Sequence, residues 1–398
     1  MSTTLKVLMV TGAYHPEISS GGLQSQLMAR AMRGRAEVRV LTTAIDLTTP
    51  RFAVVEDVAV SRIHLRPQSL WSKLFAAATT LPQIVRLVRW CDVVHIHGVS
   101  AKNILVTALA RTIGRPVVLS LHTTGADEPV AIRKQSLLMY WAFQSATRYL
   151  AVSGGLMDAS RAAGIAADRI AVVPNGIDTA QFSPASAEEK RQLRREAGHD
   201  VPGPVILFVG YFSHDKQPRV LFDAWMQLLD AHRLDATAWF VGATKSDYFE
   251  VDSRIADAMR ADAAARGRSA QLIFTGPVHE VQRYFRLADV FVLPSRREGL
   301  PVALMEAMSC GLPCVASRLP GATDTLIDEG VSGLLVAPEN VGAFAEAIAA
   351  MLKDPDRAAA MGRAARQFVL DRFASETIAG RWLDAYHTVL GRSGVNRT

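Results

Sequence analysis

The sequence predicts an α/β protein built from two doubly wound domains, and three observations carry that prediction. At 398 residues the chain is too long for one ordinary core. Short apolar runs alternate with longer segments of helical spacing, the signature of a parallel sheet with helices on both faces. The alternation occurs twice, separated once by a polar, charged stretch at 183–200 that closes on Pro202-Gly-Pro204. These features set a first domain at 1–182, a linker at 183–204, a second domain at 205–374, and a last helix with its tail at 375–398.

In the first series, residues 5–11 read as a buried strand, followed by a loop from Gly12 to Gly22. Leu23, Leu27, Met28, Ala31 and Met32 then share one face of a helix. Gly21 and Gly22 stand where strand hands over to helix, so backbone can approach a ligand and free amides can meet a phosphate. A G-x-G-x-x-G dinucleotide fingerprint is absent. Strand-like runs follow at 37–42, 58–65, 92–97, 116–121 and 147–152, with helical patterns at 71–90, 100–113 and 131–146. Pro82 is expected to break the 71–90 pattern into two helices. Ligands of open parallel sheets bind beyond the carboxyl ends of strands, which makes His97 and His122 candidates, with Asp127 and Glu128 in the loop that His122 opens. Pro174-Asn-Gly-Ile-Asp178 forms a turn after the strand at 170–173.

The second series places strands at 205–209, 236–241, 271–274, 290–293, 313–317 and 333–336, with helices at 216–230 and 252–266. Its focus is Glu298-Gly-Leu-Pro-Val-Ala-Leu-Met-Glu306. Pro301 suits the first helical position, where a missing N–H costs nothing. The amides of Leu300, Val302 and Ala303 would then leave the helix start unpaired, beside the positive end of its dipole. That is a receptor for phosphate or clustered sugar hydroxyls, flanked by the carboxylates of Glu298 and Glu306.

Composition narrows the classes. With 49% hydrophobic and 21% charged residues the chain is globular rather than disordered or fibrous. A net charge of +6 and a pI near 9.4 suit anionic ligands such as nucleotides, or a negatively charged membrane surface. No Lys/Arg block, zinc-finger spacing or aromatic RNA-binding motif points to nucleic acid. Cys91, Cys310 and Cys314 make no disulfide framework, and Cys310-Gly-Leu-Pro-Cys314 lacks a second ligand pair for zinc. They read as buried thiols of a reducing cytoplasm. The first residues show no signal-peptide pattern, and no apolar run reaches the roughly eighteen residues of a membrane span.

The order of these motifs resembles the retaining glycosyltransferases of family 4. The resemblance rests on Gly21-Gly22, His122, Val152-Ser153, Pro174-Asn-Gly-Ile-Asp178, Lys216, the Glu298/Glu306 pair and Gly311-Leu-Pro313, and it spans nearly the whole chain. It implies the GT-B architecture: two facing Rossmann-like domains with an inter-domain cleft, the second holding a nucleotide-sugar donor and the first presenting the acceptor. It further implies Glu306 on the ribose hydroxyls, Glu298 at the donor sugar, and the amides of Gly299, Leu300, Pro301's neighbour Val302 and the helix start on sugar hydroxyls and phosphate. Lys216 would neutralise the diphosphate as a compact point charge, Gly22 would reach it across the cleft, and His122 would contact sugar or acceptor. Val278 would lie near the base, and the helix at about 375–390 would pack back on domain one. No cofactor and no metal is implied. A nucleotide-sugar epimerase, a phosphorylase or a non-catalytic sugar-nucleotide scaffold would reuse the same architecture, although no motif suggests the Lys-bound pyridoxal phosphate of a phosphorylase.

The chain departs from the family pattern where Gly210 is followed by Tyr211 rather than Arg. The diphosphate clamp is one cation short, and Arg296, Arg297 or Arg219 are the residues expected to compensate, with Arg297 alternatively pairing with Glu298. The stretch 70–90 mixes Lys73, Arg86 and Arg89 with Trp71, Phe75, Ile84 and Trp90 and could lie on an anionic bilayer. Similar enzymes use glycan or lipid-linked acceptors, so the expected location is cytoplasmic, with peripheral contact at the inner face of a membrane.

Overall fold

The computed structural model describes residues 4–17, 19–64, 70–123, 125, 127–198, 203–245 and 251–391; the side chains of Ser20 and of residues 70–79 also lie outside that description. In chain order it begins β1 (Leu5–Thr11), α1 (Ser20–Ala31), β2 (Ala36–Ala44), β3 (Phe52–Val55), β4 (Val58–His64), α2 (Leu70–Trp90), β5 (Val93–His97) and α3 (Lys102–Ile113). There follow β6 (Val117–Leu121), α4 (Pro129–Gln135), α5 (Leu137–Gln144), β7 (Arg148–Ala151), α6 (Gly154–Ala162), β8 (Ile170–Val172) and α7 (Ala187–Glu196). The second half runs β9 (Val205–Val209), α8 (Pro218–Asp230), β10 (Thr237–Val241), α9 (Ser253–Ala265), β11 (Leu272–Gly276), α10 (Val281–Leu287) and β12 (Val290–Leu293). It ends α11 (Val302–Ser309), β13 (Cys314–Ser317), β14 (Leu334–Val336), α12 (Val341–Lys353), α13 (Pro355–Phe373) and α14 (Ser375–Val389).

The chain divides into two compact units, Met1–Gly176 with Ser375–Thr398, and Ile177–Ala374. The first carries a sheet ordered β3-β4-β2-β1-β5-β6-β7-β8, parallel except for the β3 edge strand. The second carries a parallel sheet ordered β11-β10-β9-β12-β13-β14. Strand β9 shows why such sheets read as continuous apolar runs. Ile206 and Phe208 enter the core on one face, Val205 and Leu207 the core on the other. In the first unit Val7, Met9 and Met28 pack with Ile378, Trp382 and Tyr386, so α14 completes a core begun hundreds of residues earlier.

Three expectations give way to packing. Residues 183–198 and 203–204, set apart in sequence as linker, belong to the second unit. Ser186 and Glu189 close a capping box on α7, and Lys190 and Arg194 hold Asp289 at 3.0 and 2.5 Å. Pro82 sits inside α2 without ending it, because Ile84, Leu87 and Val88 beyond it are buried and hold the helix to the core. The pattern at 131–146 is two helices, separated at Ser136, whose extended backbone and hydroxyl cap α5.

Close approach of backbones explains one glycine of α13. A Cβ on Gly362 would stand 2.0 Å from the Gly311 carbonyl oxygen, in the turn that ends α11. Gly362→Ala should therefore cost roughly 1–3 kcal/mol in urea unfolding. Gly380→Ala on α14, where nothing lies within 4 Å, should be neutral or gain up to about 1 kcal/mol.

Candidate functional site

Chain order reverses between β9 and β12 in the second sheet, so the loops leaving their carboxyl ends diverge and open a crevice. The β9 loop brings Gly210, Tyr211, Asp215 and Lys216; the β12 loop brings Ser295 to Pro301 and then α11. The two loops are stapled together. The Arg296 amide donates to the Asp215 carbonyl at 2.7 Å, and Arg297 pairs with the Asp215 carboxylate at 2.5 Å. Lys216 Nζ lies 2.7 and 2.8 Å from the two oxygens of Glu298, whose Oε1 also accepts the Ser295 hydroxyl at 2.6 Å. Glu298 is only 7% exposed and Lys216 30%, so a nearly desolvated carboxylate meets a half-open ammonium. Gly210 is kept small from below: a Cβ there would stand 3.2 Å from the Phe208 ring.

Pro301 is the N-cap of α11 rather than its first helical residue, and no side chain caps the helix. The opening amides thus keep their donors, with the positive dipole end behind them. Leu300, Val302 and Val278 pack on one apolar cluster, which fixes where that start points. Glu306 lies further along a helix otherwise rich in buried apolar residues. Its carboxyl makes no hydrogen bond or ion pair among the described residues, and burial pushes it up to about 8.

The arginines nominated to complete a cation clamp are engaged elsewhere. Arg219 bonds Asp223 at 2.9 Å and Asp262 at 2.7 Å, and lies over the Phe222 ring. Arg297 takes Asp215 instead of Glu298, and Arg296 is 3.9 Å from Glu339. Tyr211 is half exposed.

In the first unit the same reversal falls between β1 and β5. Ser19 caps α1 through the Gly22 amide at 3.1 Å, and a Cβ on Gly22 would stand 2.1 Å from the Ala13 carbonyl oxygen. Gly22 is thus demanded by its own loop. Gly21 would place a Cβ 3.3 Å from His97 Cβ and 3.6 Å from Thr11 Oγ1, at the ends of both strands. His97 Nδ1 and His122 Nε2 are 3.3 Å apart, leaving His97 Nε2 and His122 Nδ1 buried without partners. Burial lowers both imidazoles below the usual range, so both are neutral near pH 7. His95, by contrast, spends both nitrogens on Tyr386 and Ser120, a structural role.

Asp127 binds no open space. Its Oδ2 accepts the amides of His122 and Thr123 at 2.8 and 2.9 Å, and its Oδ1 that of Val99 at 3.2 Å. Glu128 accepts the Gly125 amide at 3.0 Å. Both carboxylates position the His122 loop. Residues that the motifs did not reveal are Asp215 and Ser295, which anchor the Lys216–Glu298 contact, and Lys102, which follows β5. The only signal for Lys102 was its place just beyond the carboxyl end of a strand.

Residues 24–181 match the model described as Glycosyltransferase Family 4, and residues 189–368 that described as Glycosyl transferases group 1. The 2-deoxystreptamine glucosyltransferase of Streptomyces kanamyceticus is 30% identical over 330 residues, 79% of this chain and 82% of that one. The GDP-mannose:cellobiosyl-diphosphopolyprenol alpha-mannosyltransferase of Xanthomonas campestris is 25% identical over 97% of this chain and 98% of its own. Among solved structures, Anabaena Alr3699/HepE in complex with UDP-glucose aligns with a TM-score of 0.74 at 21% identity, covering 96% of this chain and 100% of that chain. WaaG, a glycosyltransferase involved in lipopolysaccharide biosynthesis, aligns with a TM-score of 0.69 at 16% identity, covering 95% and 98%.

The raised Glu306 carboxyl has a defined pH signature. Below about pH 4.5 the group is protonated whether folded or unfolded and costs nothing. As pH rises towards 8 the unfolded chain gains from ionising while the folded one does not, so stability is lost across that window. Glu306→Gln should flatten this slope, melting above the parent at pH 8 and converging with it near pH 5. Parallel melting curves for the two proteins across that range would refute a desolvated carboxyl.

Proposed function

The chain belongs to the GT-B glycosyltransferases, and on that premise we propose a retaining enzyme of family 4 that moves a sugar from a UDP- or GDP-sugar to an acceptor hydroxyl. Its acceptors are glycan or lipid-linked, in the building of surface polysaccharide or lipopolysaccharide. One observation carries the reading: Lys216, Glu298 and the uncapped start of α11 stand on the two loops that diverge at the switch point of the second sheet.

The charges suit a nucleoside diphosphate. Lys216 has three N–H donors, so it can keep Glu298 and still meet a phosphate oxygen. The α11 amides add the helix dipole, worth roughly half a unit charge. A Glu306 carboxyl that is largely protonated near neutrality does not repel the incoming anion, and it can bond the ribose hydroxyls. Glu298, fixed by Lys216 and Ser295, is the group that orients the donor sugar. As the bond from sugar to diphosphate breaks, Lys216 and the α11 amides stabilise the departing charge, and the acceptor hydroxyl enters on the same face. His122, neutral and with Nδ1 unpartnered, supplies one hydrogen bond to a sugar hydroxyl.

The reading is tested with a panel of UDP-, GDP- and ADP-sugars, following the product anomer by NMR. Turnover with inversion, or with none of the donors, would sink it. Glu298→Gln should lower kcat more than donor affinity, whereas Glu306→Gln should weaken nucleotide binding. Each loss should be roughly ten- to a hundredfold, the worth of one charge-assisted hydrogen bond. Lys216→Ala should be severe for donor binding, while Arg219→Ala and Tyr211→Phe stay near the parent.

A lipid-linked acceptor calls for a surface that meets lipid. Lys73, Trp71 and Phe75 lie outside the described side chains. In the described half of α2, Ile84 is buried and Arg39 covers the Trp90 ring at 4.0 Å, so the exposed Arg86 and Arg89 share that half with the exposed Leu81 and Pro82 alone among its described apolar residues. The better face is the α4–α5 pair. Val130, Leu137, Leu138 and Trp141 are 64%, 72%, 64% and 41% exposed, beside the exposed Arg133 and Lys134, a mix that fits an anionic bilayer. Flotation with vesicles containing anionic lipid should fail for Leu137→Ser/Leu138→Ser and persist for Arg86→Gln/Arg89→Gln. The reverse pattern would move the contact to α2.

A further inference from the structure

A second opening in the second unit lies at the other end of its sheet. Pro204, Asp289 and Pro313 immediately precede β9, β12 and β13, and all three line a cleft of about 530 Å³. Its lining falls wholly within that unit, and its size is that of a small-molecule site. The crevice of Lys216 and Glu298 stands at the carboxyl ends of the same strands, one strand length of roughly 15 Å away.

The charged lining residues are Lys190, Arg194, Arg286 and Asp289. Asp289 is spent: its Oδ1 accepts Lys190 at 3.0 Å, and its Oδ2 accepts Arg194 at 2.5 Å and the Val205 amide at 2.7 Å. Arg194 also donates to the Leu287 carbonyl at 2.8 Å, so this one residue ties α7 to the start of β12. Lys190 is therefore a surplus cation, with one of its three N–H donors engaged among the described residues. Arg286 gives Nη2 to Glu189 at 2.9 Å and keeps Nε buried without a partner. The lining and its ion-pair partners thus carry three cations and two carboxylates, one positive charge in excess. Pro184, Pro204, Leu352 and Pro355 supply apolar walls, and no Ser, Thr, Asn, Gln, Tyr or His stands among the described lining residues. A sugar or a base is held by several placed polar groups. Cations over apolar walls suit an anion with an apolar body instead.

We propose that this cleft binds a small amphipathic monoanion, a carboxylate on a short aliphatic body, with Lys190 and Arg286 at its head and the proline walls along its tail. The single excess charge matches a carboxylate, whereas a phosphate monoester brings about 1.5 to 2 negative units. The guanidinium fork of Arg286 also fits the two oxygens of a carboxylate. Binding needs no turnover and no part of the Lys216 crevice, so it succeeds or fails independently of the glycosyltransferase reading.

The full chain is titrated by calorimetry with octanoate, octanol and acetate, as the parent, Lys190→Gln/Arg286→Gln and Ala359→Trp. In the double variant Arg194 and the Val205 amide keep Asp289 bonded. Ala359 lines the cleft from an exposed position on α13, so tryptophan there blocks the opening without entering the core. The parent should bind octanoate about tenfold or more tighter than octanol or acetate, since neither head nor tail suffices alone. Each variant should lose about tenfold or more of that affinity while still melting cooperatively. Saturating UDP should leave octanoate binding unchanged. A variant that does not fold is replaced by Lys190→Gln alone or by Ala359→Phe, read in the same way. No octanoate binding by the parent, equal binding of octanol or acetate, or displacement of octanoate by UDP overturns the proposal. So does octanoate affinity at the parent's level in either folded variant.

Discussion

A single ion pair, Lys216 to Glu298 at 2.7 Å, fastens together the loops that leave β9 and β12 in the second unit. Each partner alone would be a liability. Glu298 is almost wholly removed from water, and a desolvated carboxylate without its cation is costly by several kcal/mol in the usual case. The Ser295 hydroxyl takes one more lone pair, and Asp215 ties the same two loops through a backbone and a side-chain bond. The consequence is a site whose polar groups are already aimed before any ligand arrives. Such pre-organisation is where electrostatic stabilisation of a departing anion comes from, because no dipoles need to turn during the reaction.

The sequence made the fold legible wherever burial on both faces left apolar runs. The 205–209 and 290–293 strands were readable to the residue, since both faces of each are covered. Reading failed where the deciding contact was distant. Helix α7 is almost entirely charged and so looks solvated, yet its place depends on Asp289, nearly a hundred residues on. His95 and His97 sit two apart on one strand and look equivalent. Tyr386 and Ser120 saturate the first and leave the second open. Pro82 illustrates a rule overridden: one lost amide weighs less than a buried row of Ile84, Leu87 and Val88.

Some errors were avoidable from sequence. Arg219 has Asp223 four residues later on the same helix, a spacing that brings side chains together, so its engagement could have been foreseen. Its second partner, Asp262, could not. Asp127 looked like a candidate site residue because it follows His122 in a polar loop. Three amide donors occupy its two oxygens, which suits a positioning group and not an attacking one. Its service is to hold the His122 backbone, and with it the neutral imidazole, at the end of β6.

The two sheets share a topology, and comparing their switch points shows how charge is divided within each unit. Beyond β9 a lysine has a carboxylate partner, while the unpartnered group nearby is an acid, Glu306. Beyond β5 a lysine has no carboxylate partner among the described residues, and an imidazole nitrogen of His97 is unpaired. A paired cation can lend a hydrogen bond to an anion without being essential to its charge balance. An unpaired one must either lose its proton or gain a counter-ion, and burial of Lys102 brings it to the margin between the two. Glu306 stands at the same margin from the other side, a carboxyl that burial pushes up to about 8. Each unit therefore holds one ionisable group that burial brings close to its neutral form. That follows from burying ionisable side chains, Lys102 at the start of α3 and Glu306 within α11, where packing removes water.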